Sequence, residues 1–303
     1  MPAPGDVMYA YMPPPAAPKT PDGLKWSTFA FTVFMGAVVV SLALAVYTAT
    51  LMSDATQFLS SVLTFLALGA LIGILTLIAL ILFFIGFGYA YGGRSEMGPA
   101  HARNVSLSLY TLIAALVIAP VGYVIRLVLI FGAMFPGQGN VAAAQDALRN
   151  STIVGIAFDM ITAALAALTI LLIVRALARP DHQTLLYAAT GLGVATPGIV
   201  GALTLWQFAR FLMLGGTATT SDPTVGIPAA LGAGLELLTF GLFLLAYRGA
   251  MDRIRRGELR PTVPQPAIPW LPVPVVPMVP YPVPPPPSPP PAPPSAPPEG
   301  PAP

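Results

Sequence analysis

Six apolar stretches, each long enough to cross a lipid bilayer, constrain what this chain can fold into more than any other feature. A hydrocarbon core about 30 Å thick takes roughly 20 residues of helix at 1.5 Å rise per residue. The stretches run over approximately 26–50, 58–91, 105–133, 151–174, 184–212 and 227–247. Lipid offers no hydrogen bonds to an exposed backbone, so each stretch reads as an α-helix. Charged residues make up only 9% of the chain, against about a quarter in soluble domains. The fold class expected is therefore all-α, a polytopic bundle of six transmembrane spans (26–260) between Pro-rich disordered cytoplasmic termini (1–25 and 261–303). Between the spans lie the turn-rich breaks "SDATQ", "GGRSEMGPAHARN", "PGQGNVAAAQDALRN", "RPDHQ" and "GGTATTSDPTVG". Span two is too long for one upright helix and is expected to tilt or to project from the membrane.

Basic residues set the orientation, because Lys and Arg are retained on the cytoplasmic side. Lys19 and Lys25 precede span one, Arg94 and Arg103 lie between spans two and three, and Arg175 and Arg179 follow span four. Arg248, Arg253, Arg255, Arg256 and Arg260 follow span six, which puts eleven of the fourteen basic residues on one side. Both termini are expected in the cytoplasm. Trp26, Tyr89, Tyr91, Tyr187 and Tyr247 are placed at the inner interface, with Tyr47, Phe58, Phe135 and Trp206 toward the outer one. The triplet Ala43-Leu44-Ala45 imitates a signal-cleavage site, but the apolar run continues past it, which favours an uncleaved first helix.

Four charges stand inside the spans: Arg126 in span three, Asp159 in span four, Arg210 late in span five and Glu236 near the middle of "LGAGLELLTFGLFLLAY". Each of three lies in a stripe of small or polar residues at three- and four-residue spacing, the face on which membrane helices approach one another. The stripes are Ala115, Ala119, Gly122, Arg126; then Gly155, Asp159, Thr162, Ala166, Thr169; and Ala229, Gly232, Glu236, Thr239. An unpaired charge in hydrocarbon costs at least about 2.5–3.5 kcal/mol. The expectation is thus an intramembrane network in which Arg126 and Arg210 neutralise Asp159 and Glu236, with protonation of Glu236 as the alternative to its pairing. Such a network either fixes helix register or lines a polar site for an ion, a proton or a substrate.

Span five also carries "GLGVATPGIVG", where Pro197 beside Gly198 predicts a kink or a short unwound stretch at mid-membrane. Pro120 with Gly122 is a milder version in span three. Discontinuous helices mark binding sites in transporters, although proline kinks also occur in inert helices. No internal repeat is claimed.

Catalytic signatures are missing. The chain has no cysteine, which excludes disulfides, thiolate metal sites and cysteine nucleophiles. His101 and His182 fall in predicted loops without metal-ligand spacing, and both read as solvated. There is no H-E-x-x-H, G-x-S-x-G or P-loop pattern. An enzyme is the least favoured class, no cofactor or metal is expected, and the scattered basic residues give no nucleic-acid footprint.

Half of residues 261–303 are proline, so that segment is expected as extended polyproline II, a tail and not a domain. Its first half interleaves apolar anchors, and Pro266, Pro269, Trp270 and Pro272 form a candidate partner-binding segment with P-x-x-P spacing. Before it, "YRGAMDRIRRGELRP" is expected to continue helix six into the interface, where Arg attracts anionic lipid.

The six spans, the "YGGRSEMGPAHARN" turn and "AYRGAMDRIRRGELRP" resemble, mainly over spans two to six, a family of archaeal multispanning membrane proteins of unknown function. The resemblance implies a prokaryotic plasma membrane and carries no activity. Two functions are expected: a transporter or channel component with a buried polar site, or a membrane scaffold that recruits a cytoplasmic protein through its tail. The sequence does not set the oligomeric state, and a homo-oligomer is compatible with it.

Overall fold

The computed structural model describes residues 17–51, 55–134, 141–213 and 226–260. They form six α-helices and, among the described residues, no strand: α1 (Lys19–Leu51), α2 (Ala55–Gly92), α3 (Pro99–Met134), α4 (Val141–Arg175), α5 (Pro180–Met213) and α6 (Ile227–Arg255). Each contains a window apolar and long enough to span a membrane. This is an integral membrane protein built as a helix bundle.

The helices outrun the spans read from hydropathy. Residues 19–25, assigned to a disordered terminus, are the first two turns of α1, and α4 begins at Val141, ten residues before the expected 151. The reason is that "VAAAQDALRN" is polar enough to end an apolar run yet rich in strong helix formers. Polarity ends a span, not a helix. Pro99 and Pro180 start α3 and α5, where a missing N–H costs nothing.

In space the helices follow the order α2, α1, α6, α5, α4, α3, each packed along its neighbours in that row. α2 and α3, adjacent in sequence, touch little, and α4 and α6 meet only slightly. Between lipid-facing helices the hydrophobic effect supplies no attraction, so close backbone approach matters more than apolar content. At the α1–α2 crossing, Gly23 and Gly86 bring the backbones together. A Cβ on Gly86 would stand 2.8 Å from the Ser27 N and 2.9 Å from the Gly23 carbonyl oxygen.

The core occupies the end of the bundle that carries most of the basic residues. Leu24, Phe31, Phe87, Leu172, Val174, Phe243 and Tyr247 are buried there. Phe31 is at its centre, with Tyr247 edge-on at 5.0 Å and Phe243 stacked at 6.1 Å. Tyr247 is thus a core residue and not the interfacial anchor expected of it, since its hydroxyl donates to the Ile170 carbonyl at 2.9 Å and needs no water.

Polar groups at this end tie helix termini together. The Glu96 carboxylate, in the turn between α2 and α3, accepts from the backbone N–H groups of Lys19 and Thr20 at 2.9 Å each. It thereby satisfies orphan donors at the positive end of α1. The Thr20 hydroxyl donates back to the Gly93 carbonyl at 2.9 Å. Beyond α6, Gly257 adopts φ +73°, and the Glu258 N–H reaches the Arg253 carbonyl, a left-handed cap that glycine accommodates without strain. Arg253 in turn donates to the carbonyls of Leu177 and Ala178 at 2.7 and 3.1 Å, covering the exit of α4. Glu258 joins Arg179 and Arg253 there. The hydrogen bond from Arg179 holds its carboxyl below the usual range, and Arg253 adds to the effect.

Candidate functional site

A cavity of about 390 Å³ lies next to this core on the side away from the basic end, walled by α1, α2, α4, α5 and α6. Small residues make room for it on one side: Ala163, Ala166 and Ala167 of α4 leave a gap where larger side chains would meet α6. Phe34, Phe240 and Phe243 form an aromatic wall on the other, the first two stacked at 5.2 Å with their rings 3° from parallel.

Glu236 lines this cavity and is exposed. It stands nine residues into α6, roughly 13 Å from the helix start. It is the only ionisable side chain among the described residues of the wall. Thr239, Phe240 and Phe243 follow it at i+3, i+4 and i+7, so one face of α6 passes from carboxylate to hydroxyl to aromatic. That spacing was present in the sequence, but the stripe read there followed small residues and stopped at Thr239.

Across the cavity, Gly193, Thr196 and Pro197 of α5 contribute. Pro197 has no N–H, so the Gly193 carbonyl four residues earlier loses the donor an ordinary helix would give it. Gly193 also lets α5 approach α6: a Cβ there would meet the Thr239 methyl at 3.3 Å. α5 is nevertheless helical throughout from Pro180 to Met213, and α3 is continuous through Pro120. Of the kink or short unwound stretch expected at Pro197 and Gly198, the unwound stretch is not formed, because one missing hydrogen bond is a smaller loss than freeing a whole turn within lipid. Gly198 instead packs against Met160 of α4.

Thr196 and Thr239 donate their hydroxyl protons to Leu192 and Leu235 carbonyls on their own helices, at 2.7 and 2.8 Å. What they can offer a ligand is lone pairs. With Ser41 and Thr76 completing the polar lining, the wall is rich in acceptors.

The other three charges do not join Glu236. Arg126 lies over Gly155, where an added Cβ would be 3.4 Å from its Cδ, Nε and Cζ, at the contact between α3 and α4. Asp159 is exposed one turn further along α4 and is not part of the cavity wall. Arg210 stands beside Trp206, 5.7 Å from its ring centroid. Among the described residues, no ion pair within 4.0 Å links Arg126, Asp159 or Glu236 to one another or to Arg210. Asp159 shares the α4 face that Arg126 covers at Gly155 without an ion pair to it, and Glu236 is on the cavity wall apart from them, so the four do not form the single neutralising network read from their similar depth.

Both histidines also differ from the expected solvated loops. His101 is fully buried in the first turns of α3, and the His182 Nδ1 is buried where α5 meets Gly249 of α6. Both lie in the first turns of helices that start earlier than hydropathy shows, and packing of those turns against the bundle takes His101 wholly, and the His182 Nδ1, out of solvent. No group of three or more His, Asp and Glu stands together as a metal site among the described residues. Pro266, Pro269, Trp270 and Pro272 lie outside the described residues. No protein-family model, no curated protein and no solved structure matches the chain.

Proposed function

We propose that this protein is a non-enzymatic transporter or channel component whose solute site is the cavity around Glu236. The proposed setting is a prokaryotic plasma membrane, with both termini in the cytoplasm. The observation that carries the reading is a carboxylate lining a 390 Å³ space with no basic side chain in the wall among the described residues. A carboxylate kept only to fix helix register needs a partner, since an uncompensated charge at this depth costs about 2.5–3.5 kcal/mol or more. A carboxylate that meets a solute or water in a cavity needs none. The volume supports the same reading, because cavities of roughly 300–1,000 Å³ are the usual size of small-molecule sites.

The test is flux in proteoliposomes loaded with a panel of small cations, anions and neutral solutes, comparing the native chain with Glu236→Gln. The expected result is a flux in the native protein that the variant loses while remaining monodisperse in detergent. Equal flux in both, or none for any solute, removes the proposal.

A further inference from the structure

We infer that the ligand of the cavity is a small amphipathic monocation, a protonated amine carried on an apolar body. This rests on the reading of the cavity as a binding site and names the chemistry it selects. Three features select it. The first is sign: Glu236 is the sole ionisable group of the described wall, so an anionic ligand has nothing to neutralise it.

The second is hydrogen-bond polarity. The Thr196 and Thr239 hydroxyl protons are committed to Leu192 and Leu235, and the Gly193 carbonyl has lost its helical donor to Pro197. Ser41 and Thr76 keep hydroxyls that can donate, but the carboxylate and the four hydroxyl oxygens give the wall more acceptors than donors, which matches an ammonium group with its N–H bonds and no acceptor of its own.

The third is shape. Along α6 the wall changes from Glu236 to Phe243 over seven residues, roughly 10 Å. A ligand with its head at Glu236 lays its body against Phe34, Phe240 and Phe243. A bare inorganic cation is a poorer fit, because hard ions ask for about six oxygens at close range and this wall is mostly hydrocarbon and aromatic ring.

Equilibrium binding of radiolabelled phenethylamine to the purified full-length protein at pH 7 tests the inference. Phenethyl alcohol serves as the neutral competitor, phenylacetate as the anionic one and sodium chloride as the inorganic cation. The expected result is saturable binding that phenethyl alcohol, phenylacetate and sodium ions compete for at least tenfold less well than unlabelled phenethylamine. Glu236→Gln is expected to lose tenfold or more in affinity, and Glu236→Asp, which keeps the charge, to retain most of it. Ala166→Trp, which fills the cavity from α4, is expected to abolish binding. If the alcohol competes as well as the amine and Ala166→Trp still blocks, the cavity binds ligands but the cation assignment is wrong. If Glu236→Gln and Glu236→Asp lose binding equally, the charge is not what is recognised. If phenethylamine does not bind, the cation assignment fails. If phenethyl alcohol, phenylacetate and sodium ion, each then radiolabelled in its turn, also fail to bind, the cavity reading fails with it.

Discussion

The crossing of α1 and α2 allows a paired substitution whose two members have opposite signs. A methyl group on Gly86 would stand 2.6 Å from the Ser27 Oγ, 2.8 Å from the Ser27 N and 2.9 Å from the Gly23 carbonyl oxygen. The hydroxyl can rotate away, but the other two atoms are backbone. Relieving them to ordinary contact, 3.4 Å or more, moves the helices apart by roughly half an ångström. Overpacking of this kind costs about 1–3 kcal/mol, and the gap opened along the rest of the crossing forfeits further dispersion energy. Against it stands the helix propensity gained on replacing Gly by Ala, about 1 kcal/mol. Gly88, two residues on in the same helix, has nothing within 4 Å of the position a Cβ would take. Gly88→Ala therefore collects the propensity gain alone, and Gly86→Ala nets a loss of up to about 2 kcal/mol. Thermal unfolding of the detergent-solubilised variants, followed by loss of the monodisperse peak, should place Gly88→Ala at or above the native midpoint and Gly86→Ala several degrees below it. Equal midpoints for the two would refute the argument that backbone approach, and not apolar surface, holds α1 to α2.

Two further outcomes follow from the basic end of the bundle. Tyr247→Phe removes the hydroxyl that bonds the Ile170 carbonyl while leaving the ring against Phe31, and should cost about 0.5–1.5 kcal/mol in the same unfolding assay. Glu258 is held below the ordinary carboxyl range by Arg179 and then Arg253. A depressed folded pKa stabilises the protein above the unfolded value, and that contribution is lost as pH falls through the folded one. Lowering the pH from 5 toward 3 should thus destabilise the native chain more than Glu258→Gln, as read by the difference in their unfolding midpoints.

The sequence made the six helices legible because lipid leaves the backbone one solution, and hydropathy marks where lipid must be. It misplaced helix starts where the two properties separate, as at Val141–Asn150, which is polar and strongly helix-forming. The intramembrane charges were conspicuous for the same reason that apolar runs were. Their relations to one another were not, since similar depth says nothing about which way around the bundle each helix faces. Glu236 and Pro197 were both singled out, yet only the packing order, with α6 between α1 and α5, brings them to one cavity. The aromatic wall was hidden because Phe34, Phe240 and Phe243 in an apolar span look like any other lipid-facing residue. Likewise, nothing in the sequence showed Glu96 capping a helix more than seventy residues away.

The most direct measurement of the central claim, a water-accessible cavity around Glu236, exploits the absence of cysteine from the chain. Single cysteines at Ser41 and Ala166, both in the cavity wall, are compared with one at Leu77, an exposed apolar residue of α2 outside it. Thiol reagents attack the thiolate, which forms in water and is suppressed in hydrocarbon. In nanodiscs, with both faces accessible, a charged methanethiosulfonate is predicted to modify Ser41→Cys and Ala166→Cys at least tenfold faster than Leu77→Cys, and Glu236→Gln should leave that difference in place. Uniformly slow reaction at all three positions would contradict the cavity and the function built on it.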